Sequence, residues 1–205
     1  MKTKITLTVL ISFLWSYVVW AQPMTVAVLN FENHSSYGGG YAQKAADWLT
    51  NELSQKGIQV VERKRLDNLI QEQAFQQSGN VDPLKAVEIG KMLGADIVVN
   101  GTINKLRVGK NTVRVGDSTI SRYNAVAEVG IRAINVKTGA ILFSDSGESS
   151  AQAKSASVPD FDMGNKAPSV DGPLKTAIQK VAGKLVQGLK GTPGMPGPKP
   201  KISIL

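Results

Sequence analysis

The chain's single histidine, His34, stands two residues after Glu32. A Ser-His-Asp triad would have to form around His34, and no Gly-x-Ser-x-Gly elbow accompanies it. The sequence has no cysteine, which rules out a Cys–His pair and every thiolate metal site. Glu32 and His34 together offer two metal ligands, fewer than a zinc site needs. Gly38-Gly39-Gly40 lies between the first apolar run and a helical pattern, where a phosphate cradle could sit. Gln43 occupies the place of the third glycine in a dinucleotide fingerprint, and no Gly-Lys-Ser/Thr follows. No catalytic, cofactor or metal residue is therefore expected, and the protein is expected to be no enzyme.

The remaining chemistry is that of contact surfaces. The triglycine gives a loop from which Tyr37 and Tyr41 can project. Tyr41 and Trp48 are seven residues apart, two turns along one helical line beside Ala42, Ala45, Ala46 and Leu49. Such aromatics suit a subunit or partner interface, or else they widen the buried face. Between Ile103 and Val115, Leu106, Val108, Val113 and Val115 point one way about an expected turn at Gly109-Lys110-Asn111. Lys105, Arg107, Thr112 and Arg114 point the other. Both a β-barrel strand pair and a soluble half-buried hairpin show that alternation, and the arms are shorter than the ~9–11 residues of a membrane strand.

These segments need a frame, and hydropathy supplies one. Met24–Phe31 is a nearly continuous apolar run, expected as a strand buried on both faces. A helix with Ala45, Ala46, Leu49 and Leu53 inward should end near Gly57, and Ile58–Val61 is a second short strand. Leu66, Leu69, Ile70, Gln73 and Ala74 trace another helical face. Asp82-Pro83 should open a further helix, Asp as cap and Pro in the first turn, with Leu84, Val87 and Met92 inward and Gly94 at its end. Ala95–Val99 and Tyr123–Val136 are strands, and Lys137-Thr138-Gly139 turns into a return strand at Ala140–Ser144. Ser144–Gly172, rich in Ser, Ala, Gly and Asp, is expected as a long loop. Leu174, Ala177, Ile178, Val181, Leu185, Val186 and Leu189 form a terminal helical stripe. The order β-α-β-α-α-β-β-β-α implies an α/β (α+β) fold, a single mixed sheet flanked by helices.

Lys2 and Lys4 precede an apolar run from Ile5 to Trp20, and Val19-Trp20-Ala21 offers small residues for a peptidase. Residues 1–21 are thus expected to be a signal peptide of an exported protein. The domain is expected over 22–190, with the loop-rich insertion at 144–172. A disordered Pro/Gly-rich tail is expected over 191–205. Without cysteine there is no disulfide and no lipidated residue. The net charge is +8, from 24 Lys and Arg against 16 Asp and Glu, and +6 without Lys2 and Lys4. Lys105, Arg107, Lys110, Arg114 and Arg122 face only Asp117 in one segment, and no acidic residue follows Asp171. In an exported chain such patches point to anionic envelope surfaces before nucleic acid, or are simply solvated.

An ordered set of motifs carries a family resemblance. Val28-Leu29-Asn30-Phe31, Val60-Val61-Glu62-Arg63, Leu69-Ile70-Gln71-Glu72-Gln73, Asp82-Pro83, Ile89-Gly90 and Leu93-Gly94-Ala95-Asp96 begin it. Val99-Asn100-Gly101-Thr102 and Asn135-Val136-Lys137-Thr138-Gly139 complete it. The set resembles the CsgG family of curli-secretion channels and the neighbouring LpoB-type activators of penicillin-binding proteins. The resemblance implies a periplasmic, outer-membrane-associated domain active in assembly or transport. Its partners would be further copies of itself in a ring, other envelope proteins, and an outer-membrane or cell-wall surface, with no nucleic acid. It also implies that Asn33–Tyr41, including Tyr37, Gly38, Gly39, Gly40 and Tyr41, corresponds to the channel's constriction loop. The family's aromatic and Asn pattern is not reproduced there, and the lipid anchor and an apolar second membrane hairpin are missing. The alternative it implies is a soluble periplasmic module regulating a cell-wall synthase.

Overall fold

The computed structural model describes residues 24–38, 40–62, 64–66, 68, 83–158, 161–162, 168–190 and 192. The expected signal peptide, the helical face from Leu69 to Ala74, Asp82, Gly39 and nearly all of the 191–205 tail lie outside the described residues.

The apolar run at the start of the domain alternates its faces. β1 (Thr25–Val28) sends Val26 and Val28 to one side of the sheet and Ala27, with Leu29 after it, to the other. β2 (Glu32–Asn33) is a separate short strand, so the run expected as one strand is interrupted at Leu29–Phe31. α1 (Tyr41–Gln55) buries Ala45, Ala46, Leu49 and Leu53. Its end follows from Gly57, whose φ of +83° lets the chain reverse so that the Ile58 N–H donates to the Leu53 carbonyl at 3.1 Å. β3 (Gln59–Val60) and β1 pair in parallel, and β1 pairs in parallel with β4 (Ile97–Val115).

α2 (Pro83–Leu93) presents Ala86, Ile89 and Leu93 to the core. The expected inward set is corrected here: Leu84 is 77% exposed, Met92 lies at the surface, and Val87 is half-buried. The buried stripe is instead Ala86, Ile89 and Leu93, at i, i+3 and i+7, on the face where Gly90 lets the helix close on the sheet. A Cβ there would lie 2.5 Å from Val98 and 2.6 Å from Val136.

β4, β5 (Ser118–Asn135) and β6 (Ile141–Val158) form antiparallel ladders, and β7 (Phe161–Asp162) pairs with the end of β6. The seven-stranded sheet has the order β3-β1-β4-β5-β6-β7, with β2 beside β4. α1 and α3 (Asp171–Gly188) cover one face, and α2 covers part of the other. The architecture is the mixed α+β sheet expected.

Two expectations fail in the strands. The turn expected at Gly109-Lys110-Asn111 does not exist, because β4 runs unbroken through it and reverses at Gly116-Asp117, with Gly116 at φ +58°. The loop expected over 144–172 is a strand to Val158. Sixteen residues of β6 pair with β5, whose β-branched and aromatic residues specify a strand. The small residues of β6 follow because the ladder satisfies their backbone groups.

Candidate interaction surface

β4, β5 and β6 are each 18 or 19 residues long, some three times an ordinary strand and about 60 Å at the usual rise per residue. The first halves of β4 and β6 and the second half of the antiparallel β5 form the core with the helices. The second halves of β4 and β6, with the first half of β5 between them, continue outward as a three-stranded blade, on which β4 is exposed from Gly109 to Val115.

A bulge decides which side chains share a blade face. Ile103 pairs with Val129 and Lys105 with Glu128, leaving Asn104 as the extra residue. Before it, the odd residues of β4 face α1 and α3; after it, the even ones do, beginning with Leu106. Leu106 and Val108 therefore share the helix-side face with Lys110, Thr112 and Arg114. Val113 and Val115 share the opposite face with Lys105 and Arg107. The grouping expected for Leu106, Val108, Val113 and Val115 is corrected accordingly: an uninterrupted strand with a bulge replaces the two arms of a hairpin, and the hairpin partner is β5.

The face opposite α1 and α3 carries two polar depressions. Near the domain, a trough of about 610 Å³ is lined by Glu32, His34, Asn100, Asn104, Arg132 and Ser144, among others. His34 Nε2 lies 3.3 Å from Glu32 Oε2 at its rim. Asn100 Oδ1 is buried with no hydrogen-bond partner among the described residues, a position that suits an ordered water. Farther out, a cavity of about 350 Å³ is lined by Arg107, Asn111, Arg122, Asn124, Gln152 and Lys154 with Gly109 at its floor. Asn111, Arg122 and Lys154 align across the three strands, as do Gly109, Asn124 and Gln152. On the helix-side face, Lys110 Nζ lies 5.5 Å from the Tyr123 ring centroid, and the hydroxyls of Thr112 and Ser121 are 3.1 Å apart.

Asn124, Gln152 and Lys154 are not among the residues expected from sequence, and Arg122 enters there only as one cation of a basic segment. The signal available was the alternation of long polar and small residues in Glu148-Ser149-Ser150-Ala151-Gln152-Ala153-Lys154, a period of two hidden by a loop-like composition.

The aromatic residues gather elsewhere. Tyr37 meets Tyr41 edge-on at 6.2 Å, and Lys44 Nζ lies 5.0 Å from the Tyr41 centroid and 5.9 Å from that of Trp48. Tyr37, Tyr41 and Trp48 are half-buried and packed against the core that α1 and α3 share. Lys44 also reaches Asp171 at 3.0 Å, closing the seam between the two helices. That hydrogen bond holds the Asp171 carboxyl below its ordinary range, helped by Ser169, and raises Lys44. Gly38 has open space around it, and Gly40, at φ +77°, precedes the first turn of α1.

Among the described residues no three His, Asp or Glu side chains stand together as a metal site would need, and no helix is long and apolar enough to cross a membrane. The second finding says nothing of strands.

No curated protein matches the chain. Among solved structures, a Helicobacter pylori homolog of neuraminyllactose-binding hemagglutinin has a TM-score of 0.50 at 12% identity, covering 83% of this chain and 89% of that one. Lipoprotein GNA1162 from Neisseria meningitidis has a TM-score of 0.49 at 15% identity, covering 80% and 99%. The C-terminal domain of LpoB from Escherichia coli has a TM-score of 0.42 at 18% identity, covering 68% and 91%. At such identities the Helicobacter likeness shows the fold alone, and the other two carry no further argument. The family model described as curli production assembly/transport component CsgG matches residues 20–193, and the chain belongs to the CsgG family.

Proposed function

We propose that the protein is a non-enzymatic component of cell-envelope assembly or transport at the outer membrane, of the curli-secretion kind, acting through contacts between its own copies and with envelope partners. The blade carries this reading, because both of its outer strands keep open edges. β4 has no strand partner on its outer side beyond Ile103 among the described residues. On β6, Lys184 Nζ donates to the Ser146 carbonyl and Lys180 Nζ to that of Glu148, both at 2.9 Å. Those bonds mark the even residues of β6 as the ones whose backbone groups face outward. From Ser150 to Lys154 the outward groups have no cap among the described residues. Open edges pair with other strands, and two different edges on opposite sides favour a head-to-tail ring. Triglycine residues Gly38, Gly39 and Gly40, with Tyr37 and Tyr41, would then line the ring's inner rim, and Trp48 would flank a subunit contact.

The test is imaging and sizing of detergent-extracted protein beside Gln152→Pro. This substitution removes an outward N–H from the β6 edge and leaves the β5 ladder intact. A discrete ring in the parent and a folded monomer in the variant are expected. A parent that stays monomeric at high concentration and wholly in the soluble fraction overturns the reading. The polar lining of the cavity and of the trough favours, as the alternative, a soluble periplasmic module regulating a cell-wall synthase. Crosslinking in intact cells that captures no synthase removes that alternative.

A further inference from the structure

Beyond the basic cavity, the last strand positions of the same blade face before the Gly116-Asp117 turn are apolar. Val113 and Ile120 pair across β4 and β5, Val115 follows, and the three are 59%, 43% and 67% exposed. One face-step nearer the domain, about 7 Å away, stands the row Asn111, Arg122 and Lys154. Arg107 stands two face-steps beyond it along β4. Gly109 keeps the floor between them open, since a Cβ there would meet nothing closer than 3.9 Å. The ion pairs among the described residues are His34–Glu32, Lys44–Asp171, Lys105–Glu128 and Lys184–Asp145, and none of them engages Arg107, Arg122 or Lys154. On the other face of the tip, Lys110 and Arg114 add positive charge.

We propose that the blade tip docks shallowly on an anionic membrane. Val113, Val115 and Ile120 enter the boundary of the acyl chains, while Arg122, Lys154 and Asn111 hold lipid phosphate groups in the cavity. The layering carries the choice of occupant. A soluble polyanion would use the cations but not the apolar residues outside them, whereas a lipid presents charge and hydrocarbon in that order. The layering also sets the depth. From Asn111 to Val115 the strand advances about 13 Å, well short of the ~30 Å hydrocarbon core. At the same level the helix-side face offers Thr112, Arg114 and Thr119, and nearer the domain the cavity face is cationic and polar. Neither face supplies the continuous outward apolar band of a spanning strand, so the blade touches the bilayer without crossing it.

This inference rests on the outer-membrane placement proposed above, though not on the ring. The test is co-sedimentation of the purified protein with vesicles of phosphatidylcholine alone, or of two parts phosphatidylcholine to one of phosphatidylglycerol. Binding is expected to the anionic vesicles only. Each basic residue near such a surface strengthens association roughly fivefold, so Arg122→Gln with Lys154→Gln should weaken it about thirtyfold. Because the chain has no cysteine, Val113→Cys accepts a single environment-sensitive fluorophore. Its emission should shift to the blue on anionic vesicles, with quenching by headgroup-level rather than mid-bilayer quenchers. Equal binding to both vesicles, an unaffected double variant, a label at mid-bilayer depth, or equally tight binding of soluble polygalacturonate overturns the proposal. Sizing the same samples separates the two readings: a monomer that binds anionic vesicles refutes only the ring, and a ring indifferent to them refutes only the docking.

Discussion

Gly147 sits in β6 where α3 crosses it, and an added methyl group there tests how firmly the helix is seated on the blade's root. A Cβ at Gly147 would lie 2.7 Å from the Ala177 carbonyl oxygen, 3.5 Å from its carbon and 3.5 Å from Val181 Cβ. The closest atom belongs to helix backbone, so no side-chain rotation can relieve the contact. Reaching an ordinary 3.4 Å separation requires α3 to recede by about 0.7 Å. That movement loosens Leu174, Ala177, Ile178 and Val181, all fully buried. Overpacking of this kind costs about 1–3 kcal/mol, against which alanine regains roughly 0.5–1 kcal/mol of backbone entropy. The expected net loss for Gly147→Ala is about 1–2 kcal/mol, or roughly 2–8 °C in Tm for a chain of this size. Gly183→Ala, in the same helix but with nothing within 4 Å of its Cβ, should instead gain up to about 1 kcal/mol. Thermal and urea melts followed by circular dichroism read both. A Gly147→Ala variant as stable as the parent, or a Gly183→Ala variant that falls with it, would refute the argument from close approach.

Gly101→Ala should destabilise by about 1–3 kcal/mol, because the new methyl group would run into the buried Phe31 ring; a urea midpoint checks it. Leu174→Ala, at a site with no exposure, should cost about 2–5 kcal/mol, measured by the same melts. Asp171→Asn tests the seam between α1 and α3. The carboxyl is held below its ordinary value of 3.8 by Lys44, so its contribution is present above that pH and is lost as pH falls through the lower folded-state value. The variant should therefore be less stable than the parent at neutral pH and equal to it in strong acid. An undiminished gap at low pH in urea midpoints across the acid range would remove the ion pair as the cause. Lys44, raised by the same bond, predicts the mirror-image loss at alkaline pH in the parent.

How far the fold was legible depended on whether a segment's own residues fixed its conformation. The Ala45–Leu53 stripe with Gly57, the stop at Gly94, the turn at Lys137-Thr138-Gly139 and the terminal stripe ending at Leu189 each combine a periodic pattern with a local terminator. Each lies where it was expected. The extent of α2 is legible in the sequence but its rotation is not, because Leu84 and Met92 are apolar by type while the close approach at Gly90 selects the buried face. Gly109-Lys110-Asn111 has turn composition, yet it continues as strand because its ladder to Arg122, Tyr123 and Asn124 outweighs that local preference.

The sequence by itself determined the helices at Tyr41–Gln55 and Asp171–Gly188, the helix ends at Gly57 and Gly94, the turn at Lys137-Thr138-Gly139 and the excess of cations, since all of these are local properties of residue type and spacing. Tertiary structure alone decided that Ser144–Val158 is a strand and that the bulge at Asn104 exchanges the faces of β4. It also decided that Arg107, Arg122 and Lys154 share one cavity. The reason is physical: strand pairing draws its stability from backbone groups on distant segments, and one inserted residue reverses every side chain that follows it.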